Sequence, residues 1–281
     1  MAYLIDTHAH LEDECYKDDG EEVIKRAEIN GIKKIISVGI NSRSSLYNIG
    51  LAKKHPGKIF ASYGVHPHDA GEFSDKSLAE AEAAIKNGEI SALGEIGLDY
   101  FKNLSPVDKQ IKAFTAQLEF AIFHKIPVIM HLRDAFDDFK KIIGGKEFKG
   151  VFHCYSGDAA FAAWAAERGF HFSFTASITY PLKEIYKIVA KTNASVYNVL
   201  TGCENREKIP QPVKAIFDVI PEGRIMVETD CPYMSPQGLR GKRNEPANVR
   251  AVAECIAGIT NTGFDAFCEK TTATAEKFFG I

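Results

Sequence analysis

Eight short β-rich runs recur along the chain, with amphipathic stretches between them, and that alternation narrows the possible folds more than any other feature. The runs are YLIDTH (3–8), KKIISVG (33–39), KIFASYGVHP (58–67), ISALGEIG (90–97), PVIMHL (127–132), GVFHCY (150–155), FHFSFT (170–175) and RIMVETD (224–230). Segments such as EEVIKRAEING, SLAEAEAAIKNG, QIKAFTAQLEFAIFHK and AAFAAWAAERG separate them. These end in glycine or lysine, as helix C-termini do. Strands that alternate with helices form parallel sheets, and eight such units in about 250 residues match a (β/α)8 TIM barrel. A doubly wound sheet would carry a G-x-G-x-x-G turn after its first strand, and the chain has none there. The expectation is an α/β chain forming a single (β/α)8 barrel domain over residues 1–281. The stretch 176–223 is long for one unit and predicts a seventh helix plus an insertion.

Polar residues collect where these runs end. His8 and His10 close the first run, two apart and therefore on one side of a strand. His66 and His68 follow the third, Glu95 and Asp99 the fourth, His131 and Arg133 the fifth, His153 the sixth, and Glu228 and Asp230 the eighth. Barrel enzymes build their sites at the C-terminal ends of strands. Four of these histidines with two of the carboxylates would suit a dinuclear site with nitrogen and oxygen donors, for which Zn²⁺, Mn²⁺ or Mg²⁺ are candidates. Strand four contains no lysine that could be carbamylated, so Glu95 is the natural bridging group. An unpaired charge between two glycines after an apolar run would be costly to bury, which favours a ligand role for Glu95. Glu228 reads as a residue that orients its neighbours. Cys154 and Cys231, next to candidate ligands, should point away from them by strand alternation.

A net charge of −3 on 281 residues argues against a long duplex footprint, which depends on many phosphate contacts. Acidic substrates would have to be met locally. Arg133 and the loop holding Arg240, Lys242 and Arg243 offer cations for a phosphate, and a guanidinium grips phosphate with a bidentate fork. The six cysteines are scattered without a C-x-x-C pair, and the N-terminus lacks the basic, then apolar, pattern of a secretory leader. No apolar run reaches the ~20 residues that span a bilayer. Reduced thiols, a cytoplasmic location, no membrane contact and no obligate protein partner are expected.

Taken together, D-T-H-A-H-L, G-V-H-P-H, G-E-I-G-L-D-Y, H-L-R, F-H-C-Y-S-G, E-T-D-C-P-Y and N-E-P resemble the TatD-type metal-dependent deoxyribonuclease family, in the family's order and over nearly the whole chain. The resemblance implies an amidohydrolase-like (β/α)8 barrel. It implies His8, His10, Glu95, His131, His153 and Asp230 as ligands of two divalent metal ions, with Glu95 bridging, and His66 and Arg133 as phosphate contacts. The chain departs from the pattern in the longer 176–223 stretch and in Thr-Ala-Thr at 272–274, where the family usually has Thr-x-Asn.

The function expected from this set is hydrolysis of phosphodiester bonds in DNA, as a 3′→5′ exonuclease on single strands or frayed ends. Asp230 is the candidate general base for a metal-activated water, and Glu95 the second catalytic carboxylate. The same site could instead serve a lactonase, amidase or deacylase, because fold does not fix the bond that is broken. A zinc-stabilised binding module is a weaker reading: structural zinc sites are closed, four-coordinate and often rich in cysteine.

Overall fold

The computed structural model describes residues 2–180 and 211–281. Its strands are β1 (Leu4–Ala9), β2 (Ile32–Ser37), β3 (Ile59–Tyr63), β4 (Ala92–Asp99), β5 (Val128–Arg133), β6 (Gly150–Phe152), β7 (His171–Phe174) and β8 (Ile225–Val227). They follow the order β1-β2-β3-β4-β5-β6-β7-β8 in the sheet. The pairings β3–β4, β4–β5, β5–β6 and β7–β8 are parallel. Each of the first six strands leads into a helix: α1 (Gly20–Ile29), α2 (Ser42–Lys54), α3 (Asp75–Lys86), α4 (Val107–His124), α5 (Phe136–Ile143) and α6 (Ala159–Glu167). After β7 comes α7 (Gln211–Val219), and after β8 come α8 (Val249–Ile259) and α9 (Phe264–Phe279). This is the expected (β/α)8 order.

The chain divides into two compact units, one of Met1–Ile35 with Cys154–Lys277 and the other of Ile36–His153 with Phe278–Ile281. In the first, every residue of β1 is buried. Around β7 the aromatic rings close-pack, with Tyr155 against Phe172 at 5.0 Å and Phe174 against Phe217 at 4.7 Å between centroids. In the second, every residue of β4 is buried. Strands covered on both faces lose the apolar–polar alternation and read as continuous runs, which is how ISALGEIG reads. Phe139 packs between Phe114, stacked at 5.8 Å, and Phe152, edge-on at 5.3 Å, tying α4, α5 and β6 together. Truncating a buried ring of this kind costs about 3–5 kcal/mol. Phe139→Ala is therefore expected to lower the urea midpoint by that free energy divided by the m-value, with m itself unchanged.

Three strands, β3, β6 and β8, stop well short of the runs that announce them, and the reasons are visible. KIFASYGVHP predicts pairing through Pro67, yet β3 ends at Tyr63. Beyond it, the Gln117 side chain from α4 takes over the ladder's role: its Oε1 accepts from Val65 N at 2.8 Å and its Nε2 donates to Val65 O at 3.0 Å. That satisfies backbone groups which buried chain cannot leave unpaired. GVFHCY stops pairing at Phe152 and RIMVETD at Val227, because the chain turns at Cys154 (φ +42°) and Asp230 (φ +54°). His153 and Asp230 thus stand just past their strands.

The insertion expected within 176–223 lies mostly outside the described residues. Inside that stretch, a 3-10 turn at Ala176–Thr179 and helix α7 are described. Among the described residues no helix is long and apolar enough to cross a membrane.

Candidate metal centre

In the first unit, β1 delivers His8 and His10 beside the turn that follows β8. His10 N donates to Cys231 O at 2.8 Å and Asp230 N to His8 O at 2.9 Å, so the ends of β1 and β8 are laced together. The buried Asp6 carboxylate reinforces the join. It accepts from Thr229 N at 2.9 Å, Thr229 Oγ1 at 2.5 Å and His8 N at 3.3 Å. Burial pushes its pKa up to about 8, against the lowering effect of those hydrogen bonds.

Held this way, His8 Nε2 and His10 Nε2 lie 3.2 Å apart, and Asp230 Oδ1 lies 3.8 Å from the first and 3.4 Å from the second. Ligands at ~2.1 Å from a tetrahedral ion stand about 3.4 Å from one another. The triangle therefore has the size a zinc-like ion requires. On its other side His10 Nδ1 meets Glu12 Oε1 at 3.2 Å. A carboxylate on the far nitrogen of a ligating imidazole fixes ring orientation and raises donor strength.

In the second unit the organising group is Glu95, 2 % exposed. A register shift in the β4–β5 pairing falls between Leu93 and Ile96, and such an irregularity re-aims a side chain. The Glu95 N–H leaves the ladder and donates to Gly39 O at 2.8 Å. Oε1 of Glu95 lies 2.7 Å from His131 Nδ1, 3.1 Å from His153 Nε2 and 3.3 Å from His66 Nε2. His131 Nε2 in turn meets Asp99 Oδ2 at 3.1 Å, and Asp99 also holds His68 Nε2 at 2.9 Å. Burial alone would pull His131 down. The bonds to Asp99 and Glu95 instead hold its pKa above the usual histidine value. Asp99 resists the upward push of burial, and the two imidazoles keep it well below the carboxylate range.

His66 differs from the other imidazoles. His68 N donates to its Nδ1 at 3.0 Å, so Nδ1 is unprotonated and the ring proton sits on Nε2. Burial depresses its pKa to about 4, leaving a neutral ring whose Nε2 lies 3.3 Å from Glu95 Oε1, in a group with Glu95 and His131 that could also hold a metal.

Close backbone approach makes this cluster possible. A Cβ on Gly97 (φ +150°) would stand 1.8 Å from His131 O, and one on Gly64 would stand 2.6 Å from the carbonyl carbon of Gly94. Gly97→Ala is expected to cost about 3 kcal/mol or more and to displace His131. Urea unfolding together with metal content of the purified variant checks both effects.

Arg133 follows two residues after His131, and its guanidinium lies 3.9 Å over the Phe101 ring. Among the described residues no carboxylate stands within ion-pair distance of it. The loop after β8 supplies fewer cations than its sequence suggests. Arg243 is committed to Asp19 through bonds of 2.8 and 2.6 Å, and Arg240 lies 4.5 Å over Tyr180. Lys242 remains exposed.

Glu228 Oε1 accepts from Cys154 N at 2.6 Å, holding the turn that carries the chain out of β6. Cys154 Sγ faces Thr175 Oγ1 at 3.4 Å, and Cys231 is buried. Glu12 and Asp99 had no assigned role in the sequence reading. The one available signal was spacing: Glu12 stands two residues after His10, and Asp99 four after Glu95. Removing either carboxylate should weaken metal binding about 10- to 100-fold. Competition of Glu12→Ala and Asp99→Ala with a chromogenic chelator gives the number.

The nitrogen and oxygen donors of both groups fit zinc, manganese or magnesium, and no thiolate is among them. Comparison with known proteins adds the wider setting. The family described as TatD related DNase matches residues 5–280. The chain is 33% identical over 281 residues to the uncharacterized metal-dependent hydrolase YabD of Bacillus subtilis, covering 99% of each. It is 30% identical to the 3′-5′ ssDNA/RNA exonuclease TatD of Erwinia billingiae, again over 99% of each. Among solved structures, the TatD homolog YjjV of Escherichia coli superposes with a TM-score of 0.83 at 24% identity, over 99% of this chain and 98% of that one. The fold is shared along the full length.

Proposed function

The chain belongs to the TatD related DNase family, and on that premise we propose that it is a divalent-metal-dependent hydrolase of phosphodiester bonds in DNA, acting as a 3′→5′ exonuclease on single strands or frayed ends. The observation that carries the reading is Glu95, a buried carboxylate with one oxygen 2.7, 3.1 and 3.3 Å from three imidazole nitrogens. An acid so placed makes little sense as packing and good sense as a metal ligand. The exonuclease name of the Erwinia relative supports a nucleic-acid substrate.

His8, His10, Glu95, His131, His153 and Asp230 would hold two divalent ions, zinc, manganese or magnesium. Ions held there supply Lewis acidity and a water acidic enough to attack at neutral pH. Asp230 accepts the proton of the attacking water. Arg133, with no carboxylate within ion-pair distance among the described residues, binds the scissile phosphate and stabilises the charge that grows on its oxygens. His66 offers its Nε2 proton to the same group. A net charge of −3 suits a short footprint at a chain end, since long footprints rest on many phosphate contacts. The scattered cysteines, with no C-x-x-C pair, suit a reducing, cytoplasmic compartment.

Metal-loaded protein is expected to hydrolyse an aryl phosphodiester faster than the matching aryl acetate or a lactone, and Arg133→Ala should erase most of that preference. Faster turnover of the acyl substrates, unaffected by Arg133→Ala, would overturn the phosphodiester reading in favour of a lactonase, amidase or deacylase.

A further inference from the structure

Tyr233 carries an apolar ring that is 57% exposed, yet little about it is free to move. Its N–H donates to Asp230 O at 2.9 Å, its carbonyl accepts from Asn244 Nδ2 at 2.7 Å, and its hydroxyl donates to Asp13 Oδ2 at 3.2 Å. Asn244 itself is fully buried and also donates to Thr229 O at 3.0 Å, so the anchor is part of the core. The ring stands edge-on to His10, with centroids 6.2 Å apart and planes at 66°. Single exposed apolar side chains are ordinary. An exposed aromatic ring held at backbone and hydroxyl, edge-on to a candidate metal-ligand imidazole, is placed where it can meet whatever reaches that imidazole.

We infer that Tyr233 is a nucleobase-stacking platform: it binds the base of one nucleotide at the end of a single strand and so sets which phosphodiester reaches the metal-binding residues. The inference rests on the phosphodiester reading above and names the part of the substrate that reading leaves open. Stacking on an aromatic face suits single strands because every base presents a π surface, and it adds about 1–3 kcal/mol per base, roughly 5- to 150-fold in affinity. The π-face does the binding, and the hydroxyl acts through Asp13 to hold the ring in place. Tyr233 is thus a substrate-binding residue whose effect depends on a base being present.

The test uses holoprotein and 5′-fluorescein single-stranded oligonucleotides with phosphorothioate linkages near the 3′ end, so that binding is read by anisotropy without cleavage. Abasic nucleotides are placed singly at the first, second or third position from the 3′ end. Tyr233→Ala is expected to weaken binding of the fully based strand about 10-fold, with Tyr233→Phe within about 3-fold of wild type. At one abasic position the difference between Tyr233→Ala and wild type should vanish. Tyr233→Leu, which keeps bulk without a π-face, should behave as Tyr233→Ala, and it replaces that variant if the alanine protein loses metal or melts early. Wild-type affinity in Tyr233→Ala, or an equal loss at every abasic position, overturns the inference. Cleavage of unmodified strands is measured alongside. Base-dependent binding without any cleavage supports the platform and contradicts only the phosphodiester reading, whereas no binding of any strand by wild type contradicts both.

Discussion

Glu95→Ala is expected to yield a folded protein that retains less than a thousandth of wild-type hydrolysis. The expectation follows from how much converges on one oxygen. His131, His153 and His66 all approach Glu95 Oε1 within 3.3 Å, so the substitution removes the group shared by three imidazoles in a buried place. Lewis-acid and activated-water catalysis contribute several kcal/mol to such reactions, and each 1.36 kcal/mol is ten-fold in rate. Losing an ion therefore reaches about 10³-fold or more. Folding should survive, because β4 is anchored by Leu93, Ile96 and Leu98, each at most 1% exposed, and by the Glu95 N–H bond to Gly39, which needs no side chain. Rate assays and metal content on the same preparation measure the loss. Near-normal activity with a full metal complement would remove Glu95 from the mechanism. Glu95→Gln is the sharper companion: it keeps the shape, removes the charge, and should lose metal almost as completely.

Metal binding should also depend steeply on pH. In the metal-free protein His10 is held well above the ordinary histidine pKa: burial pulls down, while Glu12 and Asp230 more than compensate. His131 is raised in the same sense by Asp99 and Glu95. Both rings are thus protonated below pH 6.5 in the empty protein, and both must lose a proton to ligate. Each released proton weakens apparent affinity about ten-fold per unit fall in pH, so two give about a hundred-fold per unit until the raised pKa values are exceeded. The sign for stability runs the other way in the empty protein. A raised histidine pKa contributes stability that is fully present below the unfolded value, near 6.5, and is lost as pH rises through the folded value. Loading metal should therefore raise Tm more at pH 8 than at pH 6. Isothermal titrations across that range, in buffers of different ionisation enthalpy, count the protons. A flat profile would mean that neither ring is a ligand.

The alternation of eight strands with helices was legible because fully buried strands leave uninterrupted apolar runs, and because glycine and lysine mark helix ends. Where the strands stop was not. The end of β3 depends on Gln117, more than fifty positions further along the chain, and the ends of β6 and β8 on left-handed turns at Cys154 and Asp230. No local pattern announces such partners. The same limit applies to the site. Histidines and carboxylates at strand ends could be read from spacing, since residues two apart share a face. The carboxylates that hold them, Glu12 for His10 and Asp99 for His131, are contacts of folded chain, and either could have been an ordinary solvated acid. Arg243 illustrates the opposite error: a cation in a basic loop looked available for phosphate, while the fold commits it to Asp19. Arg133 escapes that fate: its guanidinium lies over the Phe101 ring, and the neighbouring Asp134 acts on it through space without forming an ion pair.

Digestion of single-stranded DNA labelled at its 3′ or its 5′ end, with Mg²⁺, Mn²⁺ and Zn²⁺ supplied separately and Glu95→Ala run beside wild type, tests the central claim most directly. The account predicts immediate release of the 3′ label as mononucleotide, a descending ladder from the 5′-labelled strand, and neither with the variant. Intact strands under all three metals, or equal cleavage by Glu95→Ala, would contradict it.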